Sequence, residues 1–266
     1  MSSPRPRAPR RSRRLASSIP AADWQHAGYD AGDGAFLEQL QRDMTHLRPA
    51  LDATFSGMIC LPAEIPWREW PVRHHELLLP HWEKFAAALT RPREVEVREI
   101  FIGSDQLPPP VLETILPSMR NMTMITLLNS GLGSAGLRCL SSFLGRNSTL
   151  LKVAIYTDDI DLGAADSLSR AVSNHPTLDS LSLRDCGLDS GNVGRLLDGC
   201  GRVKEILFME NQIASAGAAA IADFVGRNDT QTTSISLCDN LISDADVPRL
   251  VHSLRNNTAL KCLYMT

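Results

Sequence analysis

From Val97 onward the chain repeats one pattern of positions: apolar, two others, apolar, one other, apolar. In six of seven copies the run continues through two residues, a small polar residue or Cys, one more residue, and Leu or Ile. The clearest copy is Leu178, Leu181, Leu183, Cys186, Leu188; Val203, Ile206, Phe208, Asn211, Ile213 follows, then Thr232, Ile235, Leu237, Asn240, Ile242. Upstream lie Val97, Ile100, Ile102, Asp105, Leu107, then Met122, Ile125, Leu127, Ser130, Leu132, then Leu150, Val153, Ile155, Asp158, Ile160. A seventh copy starts at Leu260, Leu263, Met265. The starts at 97, 122, 150, 178, 203, 232 and 260 are 25, 28, 28, 25, 29 and 28 residues apart. Alternating apolar positions predict a short strand with every second side chain buried. A fixed period in this range predicts a stack of like units.

Between strands the apolar spacing changes to three and four residues. This predicts helices over Ser134–Leu144, Gly163–Val172, Ser190–Leu197, Ser215–Val225 and Asp244–Leu254, most with an Asp or Ser near the start as cap. Eight residues beyond the last Leu or Ile of each copy stand Ile115, Leu140, Leu168, Leu196, Ile221 and Leu250, which should turn each helix into a shared core. The first helix should be short or kinked, because Pro108–Pro110 precede it and Pro117 lies inside it.

Residues 21–95 lack the repeat and hold all four Trp: Trp24, Trp67, Trp70 and Trp82. Helical spacing predicts a helix from about 35 to 47 (Phe36, Leu37, Leu40, Met44, Leu47) and another from about 81 to 90, ended by Arg91-Pro92. The segment reads as a helical N-terminal cap whose bulky side chains cover the apolar end of the stack. Residues 1–20, with six Arg and no acid, read as a disordered basic leader. Residues 96–266 carry six complete repeats plus the start of a seventh.

Hydrophobic residues make up 43% of the 266-residue chain, enough for a real core. Net charge is −3, so the chain beyond the leader carries about −9 once its six arginines are set aside. An acidic body argues against nucleic acid as a partner. No apolar stretch is long enough to span a membrane, and the N-terminus lacks the apolar core of a secretory signal. The six Cys form no CxxC pair and mostly follow the repeat, which predicts reduced thiols and a cytoplasmic protein. The Arg-rich leader offers the nucleus or an organelle as alternative destinations.

A Leu-x-x-Leu-x-Leu-x-x-Asn/Cys-x-Leu run followed by a helix resembles the leucine-rich repeat, and a period near 28 resembles its ribonuclease-inhibitor-like class. That class includes the activator of the Ran GTPase. The resemblance covers about residues 97–266 and implies an α/β solenoid, or horseshoe, with parallel strands on the concave face and helices on the convex face. It also implies that Asn211, Asn240 and Cys186 turn inward to bond backbone groups. Ser130, Asp105 and Asp158 depart from that pattern, so this inner ladder should be weaker in the first three repeats.

Little chemistry stands out beyond the repeat. The N-x-Ser/Thr sequons at Asn121, Asn147, Asn228 and Asn256 each follow an Arg in the turn before a strand. A left-handed Asn ending each helix accounts for them without glycosylation. His74, His75 and His81, near Cys60, lack the spacing of a zinc site. No nucleophile-and-base motif and no phosphate loop is present, so neither an enzyme, a cofactor nor a small-molecule substrate is expected.

The strand residues between the buried positions are the informative surface. They fall into three columns: Glu99, Met124, Lys152, Ser180, Glu205, Ser234, Cys262; then Phe101, Thr126, Ala154, Ser182, Leu207, Ser236, Tyr264; then Gly103, Leu128, Tyr156, Arg184, Met209, Cys238. Phe101, Leu128, Tyr156, Leu207 and Met209 are large apolar groups where solvent is expected, with Lys152, Arg184, Asp185, Glu205 and Glu210 among them. Aromatic and Met anchors with Arg and a charged rim have the composition of a protein interface. The expected function is therefore non-enzymatic binding of a partner protein through these ten residues. Activation of a small GTPase by the strand-end acids Asp105, Asp158, Asp185, Glu210 and Asp239 is the alternative that the resemblance suggests.

Overall fold

The computed structural model describes residues 18–46, 58–63, 70–91, 97–227 and 229–265. Its centre is a single open parallel sheet of eight strands in chain order. The strands are β1 (Met58–Leu61), β2 (Glu99–Gly103), β3 (Met124–Leu128), β4 (Lys152–Tyr156), β5 (Ser180–Arg184), β6 (Glu205–Leu207), β7 (Ser234–Ser236) and β8 (Cys262–Tyr264). Helices α1 (Ala21–His26), α2 (Ala31–His46) and α3 (Leu79–Leu89) precede β2. Between later strands run α4 (Pro109–Ile115), α5 (Gly133–Leu144), α6 (Leu162–Ser173), α7 (Ser190–Gly199), α8 (Ser215–Gly226) and α9 (Val247–Leu254). No helix among the described residues is long and apolar enough to cross a membrane.

The periodic positions do what their spacing predicts. Ile100, Ile102, Ile125, Leu181, Leu183 and Ile206 are fully buried, and they join one apolar cluster with Leu140, Leu168, Leu196, Ile221 and Leu250 from the helices. Each such side chain contributes on the order of 1.5–3 kcal/mol by leaving water. Alternate strand residues point away from this cluster, and the larger of them are only partly covered: Phe101, Leu128 and Tyr156 are half-buried, and Lys152 and Arg184 are exposed. The helices therefore lie on one face of the sheet. Parallel sheets are usually covered on both faces. Among the described residues no helix covers the other face of this one.

Pro117 has the expected effect. Helix α4 ends at Ile115, and a tight 3-10 turn over Leu116–Met119 completes the connection. Helix α9 begins at Val247, three residues after its predicted start, and Asp246 accepts from the N–H and hydroxyl of Ser243 instead. Asp161 caps α6, and Asp189 forms a capping box with Asn192 on α7.

The N-terminal region adds a strand that the repeat pattern does not announce. Ile59 pairs with Ile100 and Leu61 with Ile102, in the same phase as the later strands. Trp24, Trp82 and Phe85 are fully buried in the common cluster, whereas Trp70 is 75% exposed. Trp67 and residues 1–17 of the basic leader lie outside the described residues. Ile19, placed by the sequence in the leader, is tied to the fold: its N–H donates to Gln41 Oε1 at 2.9 Å.

The inner ladder is uneven. Asn211 Oδ1 accepts from the N–H groups of Cys186 (2.9 Å) and Leu188 (3.1 Å), while its Nδ2 donates to the carbonyls of Leu183 (2.9 Å) and Met209 (2.8 Å). Asn240 repeats this with Ile213, Phe208 and Leu237. Asp158 keeps the acceptor half, taking the N–H of Ser130 at 2.9 Å and of Leu132 at 2.8 Å. Burial pushes its carboxyl up to about 6, against the downward pull of those N–H groups. Among the described residues the Ser130 hydroxyl reaches only its own repeat, at Leu128 O (3.3 Å). Asp105 is fully buried with no hydrogen-bond partner for either oxygen among the described residues, and burial raises its carboxyl well above the ordinary range. Asp158 thus makes two of the four contacts that Asn211 makes, and Asp105 and Ser130 fewer, so the first three rungs are the weaker ones.

Candidate functional site

Register pairing builds the open face column by column. Leu128 stands beside Tyr156, and Tyr156 beside Arg184. Met58, Glu99, Met124, Lys152, Ser180, Glu205, Ser234 and Cys262 form a second row, and Cys60 and Phe101 open the row that runs through Thr126, Ala154 and Ser182 to Leu207. Met209 continues the Arg184 column, because its carbonyl accepts the N–H of Asp185 at 3.1 Å.

The two ends of the face differ. Toward the first end, Phe101 lies over Gly103, which pairs with Leu128. In the middle, Thr126, Ala154, Ser180 and Ser182 are small and buried, so the centre of the sheet is a shallow floor. At the other end Leu207 and Met209 rise again, half-buried. Charge is paired across this floor. Ser180 Oγ donates to Glu205 Oε2 at 2.8 Å, and Arg184 Nη2 is hydrogen-bonded to Glu210 Oε1. That bond raises the Arg184 pKa and lowers that of Glu210. Arg184 and Glu210 remain about half and a third exposed, and solvent screens them.

The strand ends carry a row that the sequence reading named only in part. Ser104, Asn129, Thr157, Asp185, Glu210 and Asp239 all have positive φ, between 47° and 61°. Each stands one residue before an inner-ladder position. The left-handed turn swings the next side chain inward and aims the residue's own N–H along the sheet: Thr157 N–H reaches Arg184 O at 3.0 Å, and Glu210 N–H reaches Cys238 O at 2.9 Å. Asp185 and Glu210 therefore sit at the rim of the face, fixed by backbone geometry. The signal in the sequence was a polar residue before every ladder position.

The asparagines before the strands work differently from expectation. None of Asn121, Asn147 and Asn256 has positive φ. Asn147 instead accepts from the N–H groups of Thr149 and Leu150 (2.8 and 2.9 Å) and donates to Arg120 O at 3.2 Å, all from a buried position. Asn257, next to the sequon Asn256, does the same with Ala259, Leu260 and Val225. Asn228 lies outside the described residues. Among the described residues no cluster of His, Cys, Asp or Glu has metal-holding geometry. His75 caps the turn at Leu77 and packs edge-on against Trp24.

Neither a protein-family model nor a curated protein matches this chain.

Proposed function

We infer that this chain is a leucine-rich-repeat solenoid of the ribonuclease-inhibitor-like class that binds a partner protein through the open, concave face of its sheet. The strands in chain order, a helix in nearly every unit, and the Asn211 and Asn240 rungs support the class. One observation carries the function: Phe101, Leu128, Tyr156, Leu207 and Met209 stand half-buried on a face that no helix covers among the described residues. Lys152, Arg184, Asp185, Glu205 and Glu210 surround them. Partly covered aromatics with a solvated polar rim are what anchor residues look like before a partner excludes the remaining water.

The test is quantitative affinity capture with the full chain, comparing wild type with Tyr156→Ala, Arg184→Glu and a helix-side control, Arg195→Glu. Proteins bound through the open face disappear with the first two variants and persist with the third. Equal capture by all four chains removes the proposal. A captured small GTPase whose hydrolysis the chain accelerates replaces scaffold with activator.

A further inference from the structure

The helix layer contains a groove that the protein-binding reading does not use. Successive helices are joined by ion pairs: Arg195–Asp166 (3.7 Å) links α7 to α6, Arg227–Asp198 (3.2 Å) α8 to α7, and Arg249–Asp223 (3.2 Å) α9 to α8. The series stops short of the contact between α4 and α5. There the early end of α4 at Ile115 and the 3-10 turn after it leave a cavity of about 880 Å³. Leu112, Leu116 and Phe143 form its floor.

Arg120, Arg138 and Arg146 line the same cavity, against one carboxylate, Glu113. Among the described residues none of the three arginines is ion-paired. Arg146 is held by Ser142, donating to its carbonyl and hydroxyl, both at 3.1 Å. Arg120 and the turn after Arg146 are brought together by Thr149, whose Oγ1 donates to Arg120 O at 2.7 Å. Polarity is therefore segregated. Arg120 and Arg146 follow the C-terminal ends of the two helical connections, in the same part of the chain as Ser148 and Thr149, whereas Pro109 and Ala135 stand at the N-terminal ends of α4 and α5.

We propose that this groove binds a small anionic amphiphile, with a carboxylate or phosphate head on Arg120 and Arg146 and an apolar tail over Leu112, Leu116 and Phe143. The volume is in the range of small-molecule sites, and planar guanidinium groups suit bidentate contact with either head group. The excess of positive charge selects the sign of the ligand, and the apolar floor selects its tail.

Calorimetric titration of the full chain with dodecanoate, dodecyl phosphate, dodecanol and dodecyltrimethylammonium, each below its micelle-forming concentration, tests this. One equivalent of an anionic compound binds, and the neutral and cationic compounds bind at least tenfold more weakly. The stronger of the two anions identifies the head group. Arg120→Glu and Arg146→Glu each weaken binding at least tenfold, Ala135→Trp blocks it by filling an exposed wall, and Tyr156→Ala leaves it unchanged. Circular dichroism confirms that each variant is folded. Equal binding of dodecanol, or anion binding unaffected by both arginine variants, overturns the proposal. So does capture of a Glu-rich amphipathic peptide by a groove that takes no dodecanoate, since the occupant is then an acidic protein segment.

Discussion

The ring of Phe101 lies over Gly103 so closely that a Cβ on the glycine would come 2.9 Å from Phe101 Cε1. The near atom is the far end of a side chain that can swing, and Gly103 does not have positive φ. Gly103→Ala should therefore cost less than about 1.5 kcal/mol while displacing the ring from the open face. Partner binding should weaken as it does in Phe101→Ala, and the double variant should be no worse than either alone. Additive losses in a double-mutant cycle would show that the two positions act separately.

Asp158 gives the fold a pH dependence whose sign can be worked out. Its carboxyl titrates near 6 in the folded chain, against an ordinary value of 3.8. Between those values the folded state holds more proton than the unfolded one, so stability falls as pH rises through that window and is level above it. Asp158→Asn supplies the missing donor and cannot ionise. Urea melts should show the variant equal to wild type near pH 4 and more stable by on the order of 1–3 kcal/mol at pH 7. A constant offset across that range would mean Asp158 is not the titrating group.

Asn211 is the counter-case, since it uses both ends of its amide on four backbone groups. Asn211→Ala should cost roughly 2–4 kcal/mol, because buried N–H and carbonyl groups lose their partners. Asn211→Asp should keep the two N–H contacts, lose the donor, and acquire a destabilisation that grows with pH. Denaturation at two pH values separates these outcomes.

Thr157 is β-branched and sits at φ 59°. Thr157→Gly or Thr157→Asn should raise stability by about 0.5–1 kcal/mol by removing a crowded left-handed residue. A lower melting temperature in both variants would show that the threonine side chain makes up for its backbone.

At Gly199 the opposite holds, because the obstacle is main chain. A Cβ there would meet the carbonyl oxygen of Ser169 at 2.2 Å, and α6 and α7 would have to move apart. Gly199→Ala should destabilise by roughly 1–3 kcal/mol, visible as a shifted urea midpoint with unchanged slope.

What the sequence revealed follows from where its signals are redundant. Strands β2 to β7 were legible because five positions recur in phase, and β8 because it starts the same run. Strand β1 was not: with Ile59 and Leu61 in the second and third positions, Ser56, Glu64 and Pro66 fall where apolar, small polar and Leu or Ile residues belong. The break after Ile115 was legible because proline acts locally. The groove was invisible, since nothing along the chain marks an arginine as lacking an acid on the neighbouring helix. On the open face the columns were readable from alternation alone. The shallowness of its centre depends on how tightly neighbouring strands enclose Thr126 and Ser182, which no single strand encodes.

Because sheet order repeats chain order, each strand is paired only with the strands of adjacent units. Mechanically the molecule is a row of links, and loosening at one link has no shortcut to a distant one. A partner resting on Phe101 and Met209 together would act as a splint. It would slow hydrogen exchange in the units between those contacts, including strands it never touches.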